Sequence, residues 1–307
     1  MTSTNGNRND TARCVARLDR LIVTVRMADK VPTIPGYKVI KDTRVQRQGA
    51  VSTYERVRQL ESSTTGSQIF IQYKPLQGFL PDQRIMIVGD DRLGITPDEI
   101  ERVICPHFRS HKVSLAEIAL DFTEESGVDE EFVLRYGRFG KARRRKDRGG
   151  PDTVRYGSRG SLKLVRCYWK APLRSYRTEL ELHSQLLRKY SLTHVGQLYE
   201  VASKLAPGHL CFVRIDWDKL EPALRRRYDA DCAEILAEAR RRSEVSLRSA
   251  TRYLGGRVPN VYRYLKSLRI NIDVRAALKE WAGDFYQLEQ FFPVANAGRK
   301  SKPRRVK

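Results

Sequence analysis

What this chain lacks narrows it first. It has only 5 cysteines in 307 residues, Cys14, Cys105, Cys167, Cys211 and Cys232, scattered and without a Cys-x-x-Cys pair. Zinc-finger spacing is therefore excluded, and a reducing interior is the simplest compartment. No long apolar run occurs. The longest, Leu21 to Val25, is interrupted by Thr24, far short of the about 20 residues a membrane helix needs. The opening MTSTNGNRND has no apolar core of the signal-peptide kind. No internal repeat is visible. Acids are scarce beside bases: 36 Asp and Glu against 58 Lys and Arg, a formal charge of +22. Such an excess points to a polyanionic partner, most commonly nucleic acid; a merely Arg-rich composition is the plain alternative. An apolar share of 40% supports a real core, and the length suggests about two domains. The chain reads as soluble and cytoplasmic, with no membrane partner.

Residues 1–13 read as a flexible arm, 14–215 as the main domain, 216–292 as a helical region and 293–307 as a basic tail. LDRLIVTVR (18–26), IFIQYK (69–74), RIMIV (84–88), VSLAEIALDF (113–122), DTVRYG (152–157), LKLVRCYW (162–169) and SYRTELELH (175–183) are strand-like. VPTIPGYK (31–38) is a loop, and KARRRKDRGG (141–150) a mobile charged loop. TPDEIERVI (96–104) carries helix-start chemistry: Thr96 as cap, Pro97 at the first position, Glu99 completing a capping box. VDEEFVLRYGRF (128–139), SQLLRKY (184–190) and DADCAEILAEARRRS (229–243) also read as helices. The fold class is α+β, a mainly antiparallel sheet with helices on one face, plus a C-terminal helical region.

Two strands carry acids at even spacing. In 113–122, Glu117, Ala119 and Asp121 share a face; in 175–183, Arg177, Glu179, Glu181 and His183 share one. Neighbouring strands would bring Glu117, Asp121, Glu179 and Glu181 together, and four acids repel without a cation or an arginine. Hard divalent cations take such oxygen ligands, with His183 as a further donor. A solvated polar face is the competing reading. His107 and His111, four apart, are more simply structural than metal ligands.

Four stretches in order resemble the replication initiation factor family, the rolling-circle initiators of small plasmids and filamentous phages. They are E-I-A-L-D (117–121), Y-G-S-R-G-S (156–161), R-C-Y-W-K (166–170) and R-T-E-L (177–180). The resemblance covers roughly residues 14–190. Two positions depart from it: Trp169 stands where the family usually has an acid, and Thr178 where a tyrosine can sit. The resemblance implies a nickase, in which a tyrosine hydroxyl attacks a phosphodiester and leaves a 5′-phosphotyrosine and a free 3′-OH. Mg²⁺ or Mn²⁺ is expected on Glu117, Asp121 and Glu179, with Glu181 or His183 auxiliary. Arg177 is the phosphate clamp, and Tyr176, Tyr168 and Tyr190 are the candidate nucleophiles, in that order. Ser158, Arg159 and Ser161 in the glycine-rich turn, with Lys170, are candidate phosphate contacts. In 245–268, two helices flank Gly255-Gly256 in the outline of a helix-turn-helix, with Arg257, Asn260, Arg263 and Lys266 toward a duplex; an ordinary helical hairpin is the alternative. The expected partners are origin DNA as duplex and single strand, a host helicase and a second copy of the chain. Rival readings are a DNA-binding protein of this shape without chemistry, and a basic RNA-binding protein stacking bases on Phe70 and Tyr73.

Overall fold

In the computed structural model, the described residues are 14–26, 30–45, 53–108, 110–123, 133–134, 143–146, 152–157, 162–205, 212–215, 217–228, 231–243, 247–255, 269–272 and 274–290. Their centre is one antiparallel sheet of ten strands, ordered β2-β3-β4-β5-β1-β6-β11-β10-β9-β8. These are β1 (Cys14–Val25), β2 (Tyr37–Arg44), β3 (Tyr54–Ser62), β4 (Gln68–Pro75), β5 (Gln83–Val88), β6 (His111–Thr123), β8 (Arg143–Lys146), β9 (Asp152–Tyr156), β10 (Lys163–Lys170) and β11 (Ser175–His183). A second sheet of three strands joins β7 (Val133–Leu134), β12 (Phe212–Ile215) and β13 (Arg269–Ile272).

Alternation builds the large sheet with one apolar face. Leu18, Leu21, Val23 and Val25 of β1, Ile69 and Ile71 of β4, Ile85 and Ile87 of β5, Ile118 and Leu120 of β6, and Leu180 and Leu182 of β11 fall in one core cluster. Helix residues complete it: Ile100, Val103 and Ile104 of α1 (Pro97–Ile104), Leu186 and Leu187 of α2 (Ser184–Lys189), Val201 of α3 (Val201–Lys204), and Leu278, Trp281 and Ala282 of α7 (Arg275–Asp284). Ile22 and Ala119 are buried yet lie outside the cluster, because they sit on the other face. The fold is α+β, with α1, α2, α3 and α7 packed on the apolar face of the large sheet.

The Thr96 capping box is formed: its hydroxyl accepts from the Glu99 N–H at 3.3 Å, and Glu99 accepts from the Thr96 N–H at 3.1 Å. Glu99 is buried, and Thr65, Ser67 and Tyr37 donate hydroxyl hydrogen bonds to it. One carboxylate thus ties the start of α1 to the β3–β4 turn.

Several expectations are corrected. Val133–Leu134, expected in a helix, form β7, while the rest of 128–139 lies outside the described residues. Arg143–Lys146, expected in a loop, form the edge strand β8 and pair with β9. Tyr37 and Lys38, expected in the loop 31–38, open the strand β2, and the rest of β2 and all of β3 carry no strand reading in the sequence; the basic edge β2 is largely exposed, so no alternation marks it. Residues 275–288, grouped by sequence with the C-terminal region, enter the main core through Ala277, Leu278, Trp281, Phe285 and Leu288. The helices α4 (Trp217–Tyr228), α5 (Cys232–Ser243) and α6 (Leu247–Gly255) bury Leu220, Leu224, Ile235, Leu236 and Leu254 outside that cluster.

The strand order holds a symmetry the sequence does not display. In each half a first strand pairs with a later one that closes a meander: β1 with β5, and β6 with β11. The two halves meet along β1–β6.

Candidate functional site

The polar face of the second half is where charge collects. β11 lies between β6 and β10, so Glu181 pairs with Glu117, Arg177 with Asp121, Glu179 with Arg166, and Tyr168 with Arg177. One side of β11 therefore points into the core and the other into a cluster of charge. Both are covered: residues 175–182 are all buried, and Arg177 has 0% exposure.

A bulge adds a residue that alternation could not. Pairing of β1 with β6 slips between Leu18 and Arg20, so Arg17 and Arg20 reach the charged face on either side of Asp19. The Gly89 N–H donates to the Asp19 carbonyl at 2.9 Å and the Ile95 N–H to that of Leu18 at 2.7 Å, tying the 89–95 loop to the bulge. That loop can come so close only with glycine. A Cβ on Gly89 would lie 2.4 Å from the Gly94 carbonyl carbon, and Gly94 has φ +70°.

The carboxylates divide into two groups. Asp19, Glu117 and Glu179 each bring an oxygen within 4.8 Å of the others. Asp121 belongs instead to Arg177, which donates to it twice, through Nε at 2.6 Å and Nη2 at 2.8 Å; Arg17 is paired with it as well. Arg177 also donates to Asp19 at 3.0 Å and to the Asp91 carbonyl at 3.2 Å. Of the expected metal ligands, Glu117 and Glu179 come together, Asp19 was missed, and Asp121 is held in an ion pair. Glu181 meets Arg20 at 3.0 Å and Arg166 at 3.5 Å, while His183 stands 3.5 Å from Glu181. Arg166 places one nitrogen 2.6 Å from Glu117 and 2.8 Å from Glu179.

Of the three tyrosines, only Tyr168 is on this face. Its hydroxyl donates to Glu179 Oε1 at 2.5 Å. Tyr176, 5% exposed, lies within the core on the helix-covered side, and pairs across strands with Trp169. Tyr190 ends α2 and packs on the same core. No bulge carries Tyr176 round to the acids: the β10–β11 and β11–β6 registers run unbroken through it. Trp169 faces away from the carboxylates too, so an acid at that position would not have joined them. Lys170 is ion-paired with Asp91 at the end of β10. His111 is a buried structural histidine, with Nδ1 on the Phe108 carbonyl and Nε2 accepting from the Val195 N–H. Ser158, Arg159, Ser161, Arg257, Asn260, Arg263 and Lys266 lie outside the described residues; the first helix of the expected pair is α6.

Burial sets the electrostatics. It pushes Glu117 up to about 7, with the charge of Glu179 adding and Arg166 and Arg20 opposing. It raises Glu179 as well, against Arg166 and the Tyr168 hydrogen bond. The Tyr168 phenol is pushed far up by burial, then by the Glu179 charge. Burial alone would push Arg177 down, but the Asp121 hydrogen bonds and the Asp121 and Asp19 charges more than reverse it. Three close carboxylates, two of them reluctant to ionise, are an oxygen donor set of the kind a hard divalent cation takes.

No protein-family model matches the chain, and no curated protein matches it. Among the described residues, no helix is long and apolar enough to cross a membrane.

Proposed function

We propose that this protein is a rolling-circle replication initiator that nicks and rejoins one strand of origin DNA in the cytoplasm, with Tyr168 as its nucleophile. The observation that carries the reading is the Tyr168 hydroxyl on Glu179, beside the Asp19, Glu117 and Glu179 oxygens. Glu179, which accepts the phenol's hydrogen bond, is placed to take its proton. The Tyr168 oxygen bonds to phosphorus as the bond to the 3′-oxygen breaks. The products are a 5′-phosphotyrosine and a strand that takes a proton from solvent to become a free 3′-OH. Asp19, Glu117 and Glu179 would hold the Mg²⁺ or Mn²⁺, and Glu181 with His183 stand behind them. The ion, when bound, supplies charge to the scissile phosphate and lowers the phenol's cost of ionisation. Arg177 positions Asp19 and Asp121 rather than clamping phosphate, since its nitrogens are already engaged.

One observation favours the reading without chemistry. Arg166 and Arg20 already neutralise Glu117, Glu179 and Glu181, which a purely structural ion network would also do. The experiment separates the two. Supercoiled origin-bearing DNA is incubated with the protein and Mn²⁺ or Mg²⁺, and the products are run on a denaturing gel. The expected result is a metal-dependent nick and a covalent protein–DNA adduct, both lost in Tyr168→Phe and kept in Tyr176→Phe and Tyr190→Phe. An adduct that survives Tyr168→Phe removes the assignment; no nick under any metal favours the binding protein.

A further inference from the structure

The register lets rows of side chains be followed across the face of the sheet that lies opposite the core cluster. One row reads Leu164, Glu181, Glu117, Arg20, Val88, Gln68, Glu61, Lys38, and so joins the charged site to the far edge. The next reads His183, Leu115, Ile22, Met86, Phe70, Gln59, Lys41. It begins beside Glu181, crosses four apolar residues and ends on a lysine. A third row, Thr24, Arg84, Gln72, Val57, Thr43, flanks it. Leu115, Met86, Phe70 and Gln59 are half-buried, and none of the stripe belongs to the core cluster. Arg84 makes its hydrogen bond to a neutral amide, Gln72 Oε1, at 2.8 Å.

We propose that this apolar stripe is a platform for single-stranded DNA, with a base stacked on Phe70, Met86 beside it, and phosphates drawn to Arg84 and Lys41. The chemistry of the stripe selects the occupant. A flat row with one aromatic ring suits the face of an unpaired base, and flanking cations on a chain of charge +22 suit a phosphodiester backbone. A duplex buries its base faces and has no use for the ring. Adjacent strands lie about 4.8 Å apart, so the five steps from β4 to β10 cover about 24 Å. The row of Phe70 meets the start of β10 opposite His183, at Leu162, and Tyr168 lies about 20 Å further along that strand. The resulting separation of about 31 Å is within the span of the 4–16 nucleotides held by sheet-faced single-strand binders. Tyr73, by contrast, is on the opposite face with its hydroxyl on Asp42 at 2.7 Å. The proposal rests on the reading of DNA as substrate, and supplies the surface that leads a strand to the cutting site.

The test measures binding of the full chain to a labelled oligonucleotide of about 12 nucleotides, as single-stranded DNA, as the same sequence in RNA, and as duplex DNA. Phe70→Ala is expected to weaken single-strand binding roughly 5- to 150-fold, the worth of one base–aromatic stack. Phe70→Trp restores it, and duplex affinity stays put. Arg84→Gln lowers the slope of log affinity against log salt by about 0.7, and carries the test should Phe70→Ala unfold. The proposal is overturned if Phe70→Ala binds like the parent, if duplex binding falls equally, if Arg84→Gln leaves the slope unchanged, or if RNA is preferred. Absence of a covalent adduct in the parent, with an intact dependence of binding on Phe70, sinks the nicking reading alone, and nicking without that dependence sinks this one alone.

Discussion

Replacing Arg177 with methionine should be among the most damaging single changes in the protein. The guanidinium is fully buried and holds Asp121, Asp19 and the Asp91 carbonyl. Methionine keeps much of the volume but strands Asp121, whose side chain is 5% exposed, leaving it, among the described residues, the Arg17 guanidinium and a 3.5 Å hydrogen bond from the Ser175 hydroxyl. Breaking a buried pair from one side costs about 3–5 kcal/mol, because an uncompensated charge stays in the interior. Stability totals about 5–15 kcal/mol, so the change consumes a large share. Arg225 pairs with Glu221 one helical turn away, on a side chain 58% exposed; Arg225→Ala should cost no more than about 0.5 kcal/mol. Urea unfolding followed by tryptophan fluorescence measures both. At a slope of about 3 kcal/mol per M, Arg177→Met lowers the midpoint by more than about 1 M. The double variant Asp121→Leu/Arg177→Met removes both charges and should recover most of that loss. If Arg177→Met shifts the midpoint no further than Arg225→Ala, or if the double variant loses the sum of the two singles, the charge argument is wrong.

Other consequences follow from the same geometry. Glu117 binds its proton more tightly folded than unfolded, so its contribution to stability is full below about pH 4.5 and is lost as pH rises through about 7. In a metal-free pH series, the parent should therefore lose stability relative to Glu117→Gln as pH rises through that window, the difference between the two curves removing the titrations they share. For the same reason Mn²⁺ affinity, by calorimetry, should climb with pH up to about 7 and level off, with protons released below that value; a pH-independent affinity would place the ion elsewhere. Gly89→Ala should force the 89–95 loop off β1, since its Cβ would overlap the Gly94 backbone, and a lower melting temperature together with weaker metal binding would report that. Thr96→Ala removes the α1 cap and should cost about 0.5–2 kcal/mol in the same unfolding assay.

The legible parts of this fold were those where one physical rule acted alone. Alternation marked β4, β5, β6, β10 and β11, because each buries one face in the core and leaves the other outside it. Cap chemistry marked α1 because every element of it is local. The failures share a cause as well. Strands β2 and β8 sit at or beside the sheet's edges, where nothing demands an apolar face, and basic residues there look like loop. The doubling of the sheet is a property of pairing order; two halves can share connectivity while their side chains meet different demands, so no repeat survives in the residues. Asp19 shows the limit at the site itself. Strict alternation through LDRLIVTVR gives Asp19 the side of Leu21, which is core, and only the one-residue slip after Leu18 frees it. Alternation did warn that Tyr176 lies opposite the acids, and the unbroken register gives it no way round. The residue that shares their face, Tyr168, was reached by the same parity one strand over, once β10 was known to pair with β11. A strand's faces can be read from its own letters; which strand stands beside it cannot, and a site assembled from four strands depends on the second kind of information.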